Sequence, residues 1–149
     1  LAGQRGFSET PQFEGSSCLS RERYDYMFQK RLLDEHYRTY GGSYGWVLAG
    51  LCASRKLMRK ENLAKIKTPV LLFAAGHDHM VDNDAIERFA ELTNRTELFF
   101  MPDSRHEIFN ADERTRTKYY DEIFRFIKEE EVKDYENENE QTRKILGTV

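Results

Sequence analysis

Three residues of this chain have the types and the chain order that acyl transfer through a serine nucleophile requires. Ser43 is the serine of residues 41–45, which spell G-x-S-x-G, and Asp78 and His106 follow it. In this chemistry a histidine takes the proton of the nucleophile, and an aspartate bonded to that histidine fixes its tautomer and stabilises the imidazolium. The three residues can act together only if the elements around them bring them to one place.

Asp78 and His106 each follow a segment that the sequence predicts to be a strand of a parallel sheet. Residues 68–75, TPVLLFAA, are apolar on both faces, as buried parallel strands are, and TELFFMP at 96–102 is a second strand. Residues 82–93 between them have the periodicity of an amphipathic helix. Functional residues gather in the loops at the carboxyl ends of parallel strands. The sequence therefore predicts a catalytic acid–histidine pair.

Ser43 does not fit the position of a nucleophile elbow, in which a sharp turn follows a buried strand directly. Residues 33–40, LDEHYRTY, are too polar for such a strand, and residues 44–68 leave room for one helix and a linker. We expect Ser43 to be the N-cap of the following helix, after the Gly-Gly turn.

Helices are predicted on both sides of the strands. Ser20 caps a helix over residues 20–37, and residues 43–58 form a second helix after irregular residues 1–19. A long helix over 113–131 precedes a charged tail that is a solvated helix extension or a frayed end. The apolar stripes expected on the second and the long helix are Val47, Leu48, Leu51 and Cys52, and Tyr120, Ile123, Phe124 and Ile127, respectively.

These elements divide the chain into three parts. We expect a helical cap segment at 1–60, part of an α/β core at 61–131, and the charged tail at 132–149. Two strands do not make a stable open sheet with both faces covered. Further strands must come from another part of the protein or from another subunit, and open sheet edges favour a homodimer or pairing with a missing N-terminal half.

The loop HDHMVDN at 77–83 raises the question of a metal site, because H-x-H can bind zinc. Asp82 comes one residue too late for a binuclear H-x-H-x-D-H set, and Asn83 occupies the position of the last histidine. We expect no metal and no cofactor. His77 and His79 are interpreted as polar loop residues, and the next helix is capped by Asp82 or by a capping box of Asp84 and Glu87.

Composition limits the class of protein. The chain has 149 residues, 39% hydrophobic and 13% aromatic, enough for one folded domain. A net charge of −3 and a pI near 5.9 do not favour a nucleic-acid partner. No apolar run approaches a membrane span, so membrane contact would be peripheral. Two cysteines without metal spacing favour a reduced, cytoplasmic protein, although a disulfide stays open.

Residues 62–92 and 97–127 together resemble the C-terminal part of α/β-hydrolases. They look most like the lysophospholipase L2 and monoacylglycerol lipase group, which overlaps with serine aminopeptidase-like hydrolases. The acid motif of that group matches Asp78, with Asp82 at its trailing Asp, and its H-E motif matches His106. Gly76 stands two residues before the acid instead of three. Residues 19–51 are similar to the cap helices of the same group.

The resemblance implies a Ser-Asp-His hydrolase whose nucleophile lies in a preceding half. The implied substrate is a carboxylic ester of a monoacyl lipid, such as a lysophospholipid or a monoglyceride. Phe28, Tyr44 and Trp46 either line an acyl pocket or form ordinary cap core. Three alternatives stay open: a non-catalytic binding or dimerisation module, an aminopeptidase, and a thioesterase.

Overall fold

A computed structural model describes residues 6–146 and contains five helices, two 3₁₀ turns and a two-stranded sheet in that range. Predictions that fall on residues 1–5 and 147–149 lie outside the described residues. In chain order the elements are α1 (Arg21–Leu33), α2 (Tyr44–Leu57), α3 (Lys60–Leu63), β1 (Val70–Ala75), α4 (Asn83–Glu91), β2 (Thr96–Met101) and α5 (Glu113–Leu146), with the 3₁₀ turns at Glu35–Tyr37 and Ile108–Asn110.

The two strands are parallel neighbours, and α4 connects them. Val70 pairs with Thr96 at one end and Ala75 with Met101 at the other, so both strands end at the same level. This order and direction confirm the strand–helix–strand prediction and give the part of an α/β fold that residues 6–146 contain.

The core lies at the carboxyl ends of the strands. Ala75, Met101 and Ile108 are buried together, and aromatic rings from both strands and from α5 pack against them. The centroid of the Phe73 ring is 4.6 Å from that of Tyr119. The core is therefore adjacent to the loops that carry Asp78 and His106, because these loops follow the same strand ends.

The apolar face predicted for α5 is largely wrong. Tyr120, Phe124 and Ile127 are exposed, and the sheet instead contacts the face that carries Tyr119. The helix has aromatic residues on two sides, and periodicity does not tell which side meets the sheet. The helix also continues beyond residue 131 to Leu146, so the charged segment extends α5 as far as that residue.

The capping box predicted at Asp84 and Glu87 is absent from α4, while the alternative cap is confirmed. The side chain of Asp82 accepts a hydrogen bond of 3.1 Å from the amide of Asp84. The helix thus begins at Asn83, two residues earlier than a cap at Asp84 requires.

The helix predicted over residues 20–37 is interrupted near its end. Ser20 caps α1 as expected, but the helix ends at Leu33 and Asp34 takes an extended conformation with φ of −140°. The Asp34 side chain then accepts from the amide of His36 and starts the 3₁₀ turn at Glu35–Tyr37. A short acidic side chain that bonds the backbone two residues on commonly ends a helix in this way.

The apolar stripe of α2 is not buried by any part of the chain that the structure describes. Val47, Leu48 and Leu51 are exposed, and with α4 and the segment Met80–Asp82 this helix forms an apolar groove of about 720 Å³. The chain exposes 11593 Å², about 3,700 Å² more than the roughly 7,900 Å² of a compact monomer of its mass.

The structure also shows the state of the two cysteines and the character of the helices. Cys18 is buried and Cys52 is exposed, and both thiols are free. No helix within residues 6–146 combines the length and the apolar character that crossing a membrane requires.

Candidate active site

The side chains of His106 and Asp78 meet across the loops that follow the two strands. His106 Nδ1 lies 2.8 Å from Asp78 Oδ2. The carboxyl group is 4% exposed, whereas the imidazole is 40% exposed. A carboxylate accepts this hydrogen bond, so Nδ1 carries the proton and Nε2 is left as the basic nitrogen of the neutral ring. The structure therefore brings together the two residues that the sequence predicted as a pair.

The loop itself holds the Asp78 carboxylate in position. Its Oδ1 accepts hydrogen bonds from the amides of Met80 (2.7 Å) and Val81 (3.1 Å). Burial is the largest influence on this group and by itself would raise its pKa. The hydrogen bonds from His106 and the two amides together outweigh burial, and the pKa of Asp78 lies below its usual value. The aspartate is thus an anion at neutral pH and orients the imidazole.

The two loops are in direct backbone contact beside the pair. The amide of Gly76 donates to the Met101 carbonyl and the amide of His77 donates to the Ser104 carbonyl, each at 2.9 Å. A β-carbon on residue 76 would lie 2.2 Å from the Pro102 carbonyl oxygen. Only glycine allows this approach without a backbone shift, so the residue after β1 fixes how closely the two loops lie.

The N-terminal segment binds to the back of the histidine loop. Arg105 Nη1 lies 3.1 to 3.2 Å from the carbonyl oxygens of Phe13, Ser16 and Cys18. The amide of Glu107 donates to the Ser17 carbonyl at 3.0 Å. The residues on both sides of His106 are therefore fixed by a strap, residues 13–18, that is distant in the chain.

Ser43 lies outside this pair and caps α2, as predicted. Its Oγ accepts a hydrogen bond of 3.2 Å from the amide of Trp46. Among the side chains that the structure describes, the partner of His106 is Asp78, and no serine, threonine or cysteine is hydrogen-bonded to its imidazole. The arrangement can accept and return a proton at Nε2, but the hydroxyl that would supply this proton is not beside it in the described chain.

The other polar residues of the HDHMVDN loop have separate positions. His77 and His79 are exposed, Asp82 caps α4, and the Asn83 side chain donates to the carbonyl of Ala75 at 2.9 Å. Among the described residues, no group of three His, Cys, Asp or Glu side chains is arranged to hold a metal ion. These contacts close the end of β1 and start the next helix.

Sequence reasoning missed two residues next to the histidine. Ser104 is completely buried, and its backbone makes the contact to His77 described above. Arg105 makes the contacts to the strap. The partners of Arg105 are 87 to 92 positions away in the chain, and no local sequence pattern identifies them.

A parallel strand–helix–strand unit with an acid–histidine pair at its carboxyl end belongs to the α/β class of proteins. The family model described as serine aminopeptidase, S33, matches residues 14–113, which include Asp78, His106 and all of the strap except Phe13. The chain belongs to this family, a hydrolase family of the α/β-hydrolase superfamily. Comparison with curated proteins and with solved structures gives no match.

Proposed function

We propose that this chain is the acid–histidine part of a serine hydrolase that cleaves carboxylic esters of monoacyl lipids. The observation that carries the proposal is the 2.8 Å contact between His106 Nδ1 and the buried carboxylate of Asp78, at the ends of neighbouring parallel strands. Membership of a hydrolase family supports the reaction class.

In the proposed reaction His106 Nε2 removes the proton of a serine hydroxyl as the serine attacks the ester carbonyl. Asp78 remains ionised and stabilises the imidazolium that forms. The imidazolium then protonates the leaving alcohol, and a water molecule releases the acyl group by the same route. Backbone amides near the nucleophile would stabilise the oxyanion of each tetrahedral intermediate.

The nucleophile and these amides come, in this proposal, from a preceding part of the protein that adds strands to the open edge of β1. The apolar face of α2 and the excess exposed area of about 3,700 Å² support such a covering. Pairing of two copies through the same edge is the alternative for this surface. An association of either kind would bury apolar side chains that residues 6–146 leave exposed.

The apolar groove is the proposed site of the acyl chain. It begins at Met80 and Val81, two and three residues after the catalytic aspartate, and Trp46 lies in its wall. Tyr44 is exposed near this helix end, whereas Phe28 is buried and stacks with Phe7 and Tyr24, which makes it cap core. A groove with exposed aromatic residues also suits peripheral contact with a lipid surface, which we propose as the source of the substrate.

The free thiols of Cys18 and Cys52 favour a reducing compartment, and we place the reaction in the cytoplasm. A second candidate is hydrolysis of aminoacyl amides, because the matching family model is described as a serine aminopeptidase. The same acid–histidine pair would serve both reactions, so the choice depends on the substrate pocket.

Two measurements on the intact protein test this function. A fluorophosphonate should add one adduct when the upstream region is present and none to residues 1–149 alone, as read by intact-mass spectrometry. His106→Ala should lower ester hydrolysis on the order of 10⁴-fold while the protein stays folded. The exposed His36, in the 3₁₀ turn after α1, gives the matched control His36→Ala.

Four outcomes would contradict the proposal. An adduct on residues 1–149 that Ser43→Ala removes would make Ser43 the nucleophile. Unchanged hydrolysis in His106→Ala would show that His106 is not the catalytic base, and no hydrolysis by the wild-type protein would favour a binding module. Faster cleavage of aminoacyl amides than of acyl esters would favour the aminopeptidase candidate.

A further inference from the structure

A cavity of about 300 Å³ lies between α1 and both loops of the acid–histidine pair. His79 and Met80, directly after Asp78, form one part of its wall, and Glu107, directly after His106, forms another. The α1 side of the wall contains Tyr24 and Arg31. A molecule in this cavity would touch the neighbours of both residues of the pair.

Arg31 gives the cavity a cationic group that the described chain does not neutralise. Its Nε is buried and has no hydrogen-bond partner among the side chains and backbone groups that the structure describes. Arg31 lies seven residues after Tyr24 and three after the buried Phe28, so it occupies the packed face of α1 rather than the solvent face. A buried N–H group without a partner is costly, and native proteins normally supply one.

We infer that Arg31 binds an anionic group of the substrate, a phosphate or a carboxylate, in this cavity. The inference rests on the proposed ester hydrolase and deepens it, because it selects charged monoacyl esters over neutral ones. A guanidinium presents parallel N–H donors that match the oxygen atoms of both anions, and such bonds are stronger than those between neutral groups. An anion there would pair with the charge of the guanidinium that lines the cavity.

The carboxylate of Glu107 on another wall does not cancel this charge. Its Oε2 accepts a hydrogen bond of 2.7 Å from Asn110 Nδ2, and it is not within ion-pair distance of Arg31. The imidazole of His79 is exposed at the rim. An anion is therefore attracted to the Arg31 side and repelled from the Glu107 side, which gives the head group one orientation.

The cavity and the apolar groove share one wall residue. Met80 lines both of them, and it is separated from Asp78 by one residue. A cavity of about 300 Å³ is at the lower limit for small ligands and suits a head group rather than an acyl chain. An ester with its acyl chain in the groove and its anion at Arg31 would pass Met80, which lines both spaces and is separated from Asp78 by one residue.

The test compares two substrates of the intact protein that differ only in the anion, a 1-acylglycerol 3-phosphate and the monoacylglycerol with the same acyl chain. Arg31→Gln should lower the ratio of their kcat/KM values by ~10- to 100-fold, the range for one charge-assisted hydrogen bond. Arg31→Lys should recover part of the ratio, because lysine restores the charge but lacks the parallel N–H donors of the guanidinium. Lys30→Gln, the same charge change on the exposed neighbour, should leave the ratio at the wild-type value.

Inorganic phosphate distinguishes a substrate head group from a free anion. Competitive inhibition of phosphate-ester hydrolysis that weakens in Arg31→Gln supports the inference. An unchanged ratio in Arg31→Gln, with or without lost phosphate inhibition, overturns it, as does an equal loss for both substrates. Wild-type hydrolysis that His106→Ala abolishes, together with an unchanged ratio in Arg31→Gln, would refute the anion site alone and leave the ester hydrolase standing.

Discussion

Gly76 lies against Pro102 so closely that a β-carbon at residue 76 would be 2.2 Å from the Pro102 carbonyl oxygen. This contact joins the loop that carries Asp78 to the loop that carries His106. The atom that an added methyl group would meet belongs to the backbone of Pro102 and cannot rotate away, so the methyl group must push the loops apart. The distance between Asp78 and His106 is thus set by a residue that is not part of the pair.

Gly76→Ala is expected to destabilise the protein by ~1–3 kcal/mol, the range for overpacking, and to lower hydrolysis by at least about tenfold because the pair separates. Urea unfolding and kcat/KM measure the two effects. Gly6→Ala is the matched control, since nothing lies within 4 Å of a β-carbon at this exposed position. The control should be neutral or stabilise by ~0.5–1 kcal/mol, and equal behaviour of the two variants would refute the role of the contact.

Asp78→Asn should lower kcat by ~10³- to 10⁴-fold, because an amide cannot stabilise the imidazolium and favours the wrong tautomer of His106. Asp103→Asn, on an exposed residue of the neighbouring loop, is the control and should retain activity. A loss of less than tenfold in Asp78→Asn would mean that another group orients the histidine.

The lowered pKa of Asp78 also predicts how stability depends on pH. A carboxyl whose pKa is lower in the folded than in the unfolded chain, where it is near 3.8, stabilises the fold above that value. This contribution is lost as the pH falls through the folded pKa, below about 4. Thermal unfolding of wild type and Asp78→Asn should therefore differ most near neutral pH and converge in acid. A constant difference across this range would contradict the assignment.

Arg105→Ala should release the strap, residues 13–18, from the histidine loop. The expected cost is ~1.5–3 kcal/mol, since one cationic group serves three carbonyl oxygens and stacks over Phe13. Hydrogen exchange of the Glu107 amide should accelerate, because its acceptor is the Ser17 carbonyl of the strap. Arg114→Ala, on an exposed arginine, should leave this exchange unchanged, and equal protection in both variants would show that Arg105 does not hold the strap.

Ser43→Ala should cost ~1 kcal/mol through the lost cap of α2 and leave hydrolysis by the intact protein unchanged. Ser20→Ala removes the equivalent cap of α1 and should cost a similar amount. Fluorophosphonate labelling of the intact protein should persist in both variants. A selective loss of labelling in Ser43→Ala would identify residues 41–45 as a nucleophile elbow.

Much of the fold could be predicted because it depends on local patterns. The apolar run of β1, the helical period of α4 and the caps at Ser20, Ser43 and Asp82 are all decided within a few residues, and the structure confirms them. The packing face of α5, in contrast, is not decided by local pattern, and its prediction was wrong. Tyr119 and Tyr120 are adjacent aromatic residues, and only contact with Phe73 shows which one packs.

The candidate site also contains residues that the sequence could predict and contacts that it could not. Asp78 and His106 could be predicted, because chain order alone places them after successive parallel strands. Arg31 could have been noticed as a charge on the packed face of α1, but its unpaired Nε depends on how three segments surround it. The strap contacts of Arg105 could not be predicted, since residue types say nothing about partners that are 87 to 92 positions away.

The sequence by itself determined the order of strands and helices, the acid and the histidine, and the role of Ser43 as a cap. These depend on backbone propensities and on the rule that parallel strands end at the same edge. Tertiary structure alone decided the spacing of the loops at Gly76, the strap under His106, and the cavity at Arg31. The physical reason is that steric contact, hydrogen bonding and desolvation between distant segments depend on positions in space, which residue spacing does not specify.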